Sequence, residues 1–122
     1  MGAPREDLAW AAGFHDGEGS VVFGRMRGDT PYVQYCITNT YYPALQRFRR
    51  IVGKDKVKIY NKKERKPHYK RAWQLSTGRH ENVQAIVAML WPFLSREKQI
   101  QARQALSRYN KAKKNDKRSY KS

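Results

Sequence analysis

The sequence predicts an α+β domain: one antiparallel sheet with helices on a single face. Three observations lead there. Helix-period and strand-period hydrophobic patterns succeed one another along the chain in the order helix, two strands, helix, two strands, helix, helix. The strand-like runs come in consecutive pairs, which favours hairpins over parallel crossovers. At 122 residues, 39% of them hydrophobic, the chain suffices for one modest core and not for two.

The first helix is announced by Pro4 and the acids Glu6 and Asp7, suited to a helix N-terminus. Leu8, Ala11, Ala12 and His15 fall at i, i+3, i+4 and i+7, with Trp10 and Phe14 on a neighbouring face, and Gly17 and Gly19 end the run. Ser20 to Arg27 and Tyr32 to Thr38 form a first strand pair around the turn signal Gly28-Asp29-Thr30-Pro31. Asn39-Thr40 supplies a cap for a helix carrying Leu45, Phe48 and Ile51, closed by Gly53. Lys56 to Tyr60 and Tyr69 to Ser76 make the second strand pair, joined by the charged NKKERKPH. A third helix spans about His80 to Trp91, with Val83, Ile86, Val87 and Leu90 as its apolar stripe, until Pro92 breaks it. Ser95 caps a fourth from Arg96 to Tyr109. Residues 1–109 are thus expected to form the domain, and 110–122 a basic, disordered tail.

Charge restricts the partners. A formal net charge of +16 and a pI near 10.3 call for a polyanion, and nucleic acid releases counterions when Lys and Arg neutralise its phosphates. No strongly basic amphipathic helix suggests a membrane surface, and no apolar run is long enough to span one. The single Cys36 excludes an intrachain disulfide and a Cys-based zinc site, and His15, His68 and His80 lack metal-site spacing. Without a secretory leader pattern, an intracellular location is expected.

Strand alternation distributes these charges. Val33, Tyr35 and Ile37 point toward the helices, while Tyr32, Gln34, Cys36 and Thr38 point away. Val57 and Ile59 go in, and Lys56, Lys58 and Tyr60 out. Trp73 and Leu75 go in, and Lys70, Ala72 and Gln74 out. Between Ile51 and Arg71 there are nine Lys and Arg against two acids. Such an open face fits a nucleic-acid surface, because a β-ribbon enters the major groove and Lys and Gln read base edges there. In the first strand, Arg25 and Arg27 share the parity of Val21 and Phe23, so either the strand bulges near Gly24 or that facing is reversed.

One short stretch is chemically odd. Asp16 and Glu18, two of only ten acids, stand at the end of the first helix, where the partial negative charge of the macrodipole disfavours carboxylates. The run Ala11 to Gly19, AAGFHDGEG, resembles the signature of the LAGLIDADG homing endonucleases. It is joined by ITNT (Ile37 to Thr40), LSTGRHENV (Leu75 to Val83) and LWPFLSREKQIQA (Leu90 to Ala102), in the order of that family. The resemblance implies an αββαββα fold with a saddle-like sheet, here followed by a C-terminal helix. It also implies a homodimer, since only one signature is present, with signature helices meeting through Ala9, Ala12, Gly13 and Asp16 on the symmetry axis.

The same resemblance implies a site-specific double-strand DNA endonuclease that cuts a long, near-palindromic site using Mg²⁺, with Mn²⁺ as a substitute. No small-molecule substrate is expected. Glu18, with Gly17 beside it, is the implied metal ligand. Lys98 is implied near the cleaved phosphate, Asn39 (or nearby Thr38 or Gln34) beside the metal-bound solvent, and Asp16 as a support for the helix end. The implied DNA contacts are Arg25, Arg27, Tyr32, Gln34, Thr38, Lys56, Lys58, Tyr60, Lys70, Arg71 and Gln74. The alternative is a LAGLIDADG-fold DNA-binding protein without catalysis, or an intron RNA maturase. His15 occupies a position usually apolar in the family; burial, contact with a partner subunit, or action as a base are the readings open to it.

Overall fold

The computed structural model describes residues 3–62 and 71–115. Four helices, α1 (Arg5–Glu18), α2 (Tyr42–Val52), α3 (His80–Leu90) and α4 (Arg96–Lys114), surround four strands, β1 (Gly19–Arg25), β2 (Pro31–Asn39), β3 (Lys58–Lys62) and β4 (Ala72–Thr77). The strands form one antiparallel sheet in the order β1-β2-β4-β3. This is the predicted element order, with all four helices contributing to one core on one face.

That core follows from alternation. Val21, Val33, Tyr35, Ile37 and Leu75 are buried on the inner face of the sheet, and Leu45, Phe48, Ile86 and Leu90 descend onto them from α2 and α3. From α1 only Ala11, Ala12 and His15 are buried, so small side chains let this helix lie close to the sheet. Trp10 and Phe14 stack at 5.2 Å on its flank, Phe14 reaches Phe48 at 6.2 Å, and the Arg47 guanidinium covers Trp10 at 4.1 Å.

The first strand does not bulge. Its pairing with β2 is regular from Gly19↔Ile37 to Arg25↔Pro31, so Arg25 does share the inner parity of Val21. It lies at the strand end, beyond the core, where it is exposed. The hairpin closes through a short 3₁₀ turn, Arg27–Asp29, in which Gly28 (φ 79°) and Asp29 (φ 66°) are both left-handed, a conformation that Gly and Asp tolerate best. On the opposite face the Tyr32 ring lies across Gly24, where an added Cβ would stand 2.5 Å from the hydroxyl.

Several boundaries differ from expectation. Asn39 does not cap α2: its Oδ1 accepts from the Tyr41 amide at 2.7 Å in a turn, and α2 starts at Tyr42 with Pro43 in its first turn. Lys56 sits in the turn before β3 rather than in the strand. The fourth helix passes Tyr109 and runs to Lys114, so residues 110–114 of the expected tail are helical, and 116–122 lie outside the described residues. Ser95 does cap α4, accepting from the Lys98 amide at 3.3 Å. The sheet's β1 edge is covered by α4, where Gln101 Oε1 accepts from the Val21 amide at 3.3 Å.

Candidate nucleic-acid interface and helix-end site

The site is built where α1 ends, β1 begins and α4 starts. Asp16 Oδ1 and Oδ2 accept from the Ser95 amide at 3.1 and 3.2 Å. The carboxylate that seemed misplaced at the C-terminus of α1 therefore sits at the positive N-terminal end of α4, which offsets the repulsion from its own helix. Ser95 in turn caps α4 at Lys98, and the Lys98 ammonium donates to the Gly19 carbonyl at 2.8 Å. The chain of contacts Asp16–Ser95–Lys98–Gly19 closes on itself around Glu18. Asp16 thus acts as a tie within its own chain.

Glu18 is exposed in the last turn of α1, and among the described residues its carboxylate has no hydrogen bond or ion pair. Gly17 is exposed beside it, and its carbonyl belongs to the last turn, where a helix leaves carbonyls without intrahelical partners. Hard oxygen donors of this kind suit Mg²⁺, which retains waters and takes few protein ligands. No group of three or more His, Cys, Asp or Glu gathers among the described residues, so one chain offers a single carboxylate and no closed cage.

His15 is 1% exposed, with its Nδ1 2.6 Å from the Tyr35 hydroxyl and the two rings stacked at 5.2 Å. Burial, reinforced by the Lys98 ammonium and opposed by the Asp16 carboxylate, lowers its pKa to about 4. It faces the interior as a neutral imidazole against Tyr35, which is the buried reading of those open to it. Burial pushes the Tyr35 phenol well above its ordinary range, so it too stays neutral. Gly19 has no room for a side chain: an added Cβ would stand 2.5 Å from His15 Nδ1. His15, Tyr35 and Gly19 thus pack beneath the helix end that presents Glu18.

The outer face of the sheet radiates from this end. Paired residues give the rows Ser20–Cys36–Ser76–Lys58 and Thr38–Gln74–Tyr60. Lys58 and Tyr60 are exposed; Tyr32, Gln34, Thr38 and Gln74 are half-buried on the same face. Arg71 is exposed just before β4, and Lys70 lies outside the described residues. Lys56, Lys58 and Arg79 border a concavity of about 320 Å³ beside this face. Arg25 and Arg27 stand at the far hairpin. There the Arg25 guanidinium donates to the Asp29 carbonyl at 3.2 Å and lies over the Phe23 ring. Asn39, with its Oδ1 occupied by the turn, pairs with Trp73 two residues beyond the Gly19↔Ile37 pair.

Two features were missed in the sequence. Ser20 opens the outer face directly after Glu18, paired with the outward-facing Cys36; alternation reveals it once Gly19 is taken as the first strand residue. Ala12, expected at the dimer contact, is fully buried within the chain. The exposed small-residue face of α1 is instead Ala9, Gly13 and Gly17, and a Cβ at either glycine would meet nothing within 4 Å.

No protein-family model and no curated protein sequence matches the chain; its likeness is structural. The homing endonuclease I-CvuI, in complex with the I-CreI target in the presence of 2 mM Mg, superposes with a TM-score of 0.68 at 21% identity, over 88% of this chain and 68% of that one. The LAGLIDADG meganuclease I-AabMI bound to uncleaved DNA gives 0.69 at 15% identity, over 88% of this chain and 38% of that one. The group I intron-encoded homing endonuclease I-CeuI, complexed with DNA, gives 0.62 at 13% identity, over 84% and 53%. The chain therefore has the LAGLIDADG homing endonuclease fold. Its signature helix α1 packs on one four-stranded antiparallel sheet.

Proposed function

We propose that this protein is a divalent-metal-dependent, site-specific double-strand DNA endonuclease that acts inside cells as a homodimer on a near-palindromic site. The observation that carries the reading is the Glu18 carboxylate, without a partner among the described residues and held at the exposed end of α1 by the Asp16–Ser95–Lys98–Gly19 ties, at the margin of the open sheet face. The exposed Ala9, Gly13 and Gly17 leave α1 able to approach a second copy closely, which would bring two Glu18 carboxylates together across a two-fold axis.

Each residue then has a task. Glu18 and the Gly17 carbonyl would hold the cation, a hard ion that takes few protein ligands. When bound, it would supply Lewis-acid chemistry for phosphodiester hydrolysis, activating water and offsetting phosphate charge. The Lys98 ammonium, anchored at the carbonyl of Gly19, the residue after Glu18, would offer a fixed positive charge to the phosphate and favour the more anionic transition state. Asn39 lies past the end of α1, where its amide can hold a water. Lys58, Tyr60, Gln74, Gln34, Tyr32 and Arg71 meet DNA along the outer face, and Lys56 and Arg79 meet flanking phosphates.

Selection of cleaved molecules from a randomised duplex library, with Mg²⁺ and with EDTA, tests this. The proposal expects one recovered long site with two-fold related halves, cut only with Mg²⁺ or Mn²⁺. Selective binding without nicking in either metal would instead establish a DNA-binding protein that lacks catalysis.

A further inference from the structure

We propose that Val22 selects a thymine in each half-site through its C5 methyl group, with Gln34 reading an adenine of the same or the adjoining base pair. The inference rests on the reading of the outer sheet face as a DNA surface. Val22 is 41% exposed at the outer position of β1, between Ser20 and Gly24, and is the one large apolar side chain that β1 turns outward. It pairs directly across from Gln34, whose amide has no hydrogen-bond partner among the described residues. The Tyr32 ring, with its hydroxyl end over Gly24, borders the pair on the hairpin side.

A merely solvated strand position gains nothing from exposing valine over threonine, which has nearly the same shape and a hydroxyl for water. Exposure for edge pairing is also excluded, because α4 covers the β1 edge through Gln101. Charge names the occupant: the patch lies between the exposed Arg27 of the hairpin turn at one end and the outward-facing Lys58 and Lys62 across the sheet, in a chain of net charge +16. In the major groove the thymine methyl is the one apolar group on a base edge, and a free carboxamide pairs bidentately with adenine N6 and N7. Cross-strand neighbours stand about 5 Å apart, between one and two base-pair rises of about 3.4 Å, so Val22 and Gln34 reach the same or successive pairs.

Uracil scanning tests this on the recovered site. Each thymine is replaced in turn by uracil, which deletes the methyl and preserves every hydrogen-bonding group, and binding is measured in EDTA. Wild type should lose about fourfold in affinity at one thymine per half-site, the value of one buried methyl-sized group. Val22→Ser, with an unchanged thermal melt, should bind thymine and uracil alike at that position and retain the other preferences. Gln34→Ala should relax the adenine preference at the same or adjoining pair. A site at which no thymine is uracil-sensitive, or one whose sensitivity persists in Val22→Ser, overturns the inference while the nuclease reading stands. If no site is recovered, the underlying DNA reading fails as well.

Discussion

His15 makes folding stability depend on pH in a way that one substitution should erase. Its native pKa, about 4, lies below the ordinary 6.5. As pH falls through 6.5 the unfolded chain takes up the proton first, and the native state refuses it until about pH 4. The unfolded state therefore binds more protons throughout that window, and stability present above pH 6.5 is progressively lost on acidification. The difference in pKa corresponds to about 3 kcal/mol. Urea denaturation at intervals from pH 7.5 to 4.5 would measure it. Wild type should lose about 2–3 kcal/mol more than His15→Leu across this range, although the variant starts lower because Tyr35 loses its partner. The double variant His15→Leu/Tyr35→Phe should recover part of that offset and keep the flatter pH profile. Equal pH slopes for wild type and His15→Leu would refute the account of a buried, neutral imidazole.

Three further outcomes test neighbouring parts of the structure. Gly19→Ala should cost about 1–3 kcal/mol in chemical denaturation, because the new methyl displaces the His15 ring from Tyr35. Ser95→Ala should cost about 1 kcal/mol through loss of the α4 cap, and slow single-turnover cleavage by freeing the segment that anchors Lys98. Gly13→Leu should leave the far-UV circular dichroism of the folded chain unchanged, since a Cβ there meets nothing within 4 Å, yet shift sedimentation from dimer to monomer. A Gly13→Leu protein that still sediments as a dimer would remove α1 from the proposed subunit contact.

Much of this architecture is legible one residue at a time, because burial follows period. Val33, Tyr35 and Ile37 alternate inward as two-residue spacing requires, and Val83, Ile86, Val87 and Leu90 face the sheet at helical spacing. What local pattern does not carry is contact between distant segments. That β2 pairs with β4 is set by how the two hairpins dock, and no turn residue encodes it. Likewise, Asp16 and Ser95 stand 79 positions apart, so the solution to the misplaced acid was invisible until α4 was seen to start beside α1. Ala12 shows the opposite failure. Small residues suit both a close helix contact and a tight core, and identity alone cannot separate Ala12 from Gly13 one position later. Gly19 looks like a simple helix stop, yet packing against His15 gives it a second, stricter reason to lack a side chain.

The central claim concerns Glu18 and is tested by Glu18→Gln, which keeps the side chain's size at an exposed position and removes its charge. The measurement is single-turnover cleavage of the recovered site in Mg²⁺, paired with DNA affinity in EDTA. If Glu18 holds the cation, cleavage should fall by about a hundredfold or more while affinity stays within about twofold. Cleavage by Glu18→Gln at the wild-type rate would contradict the account.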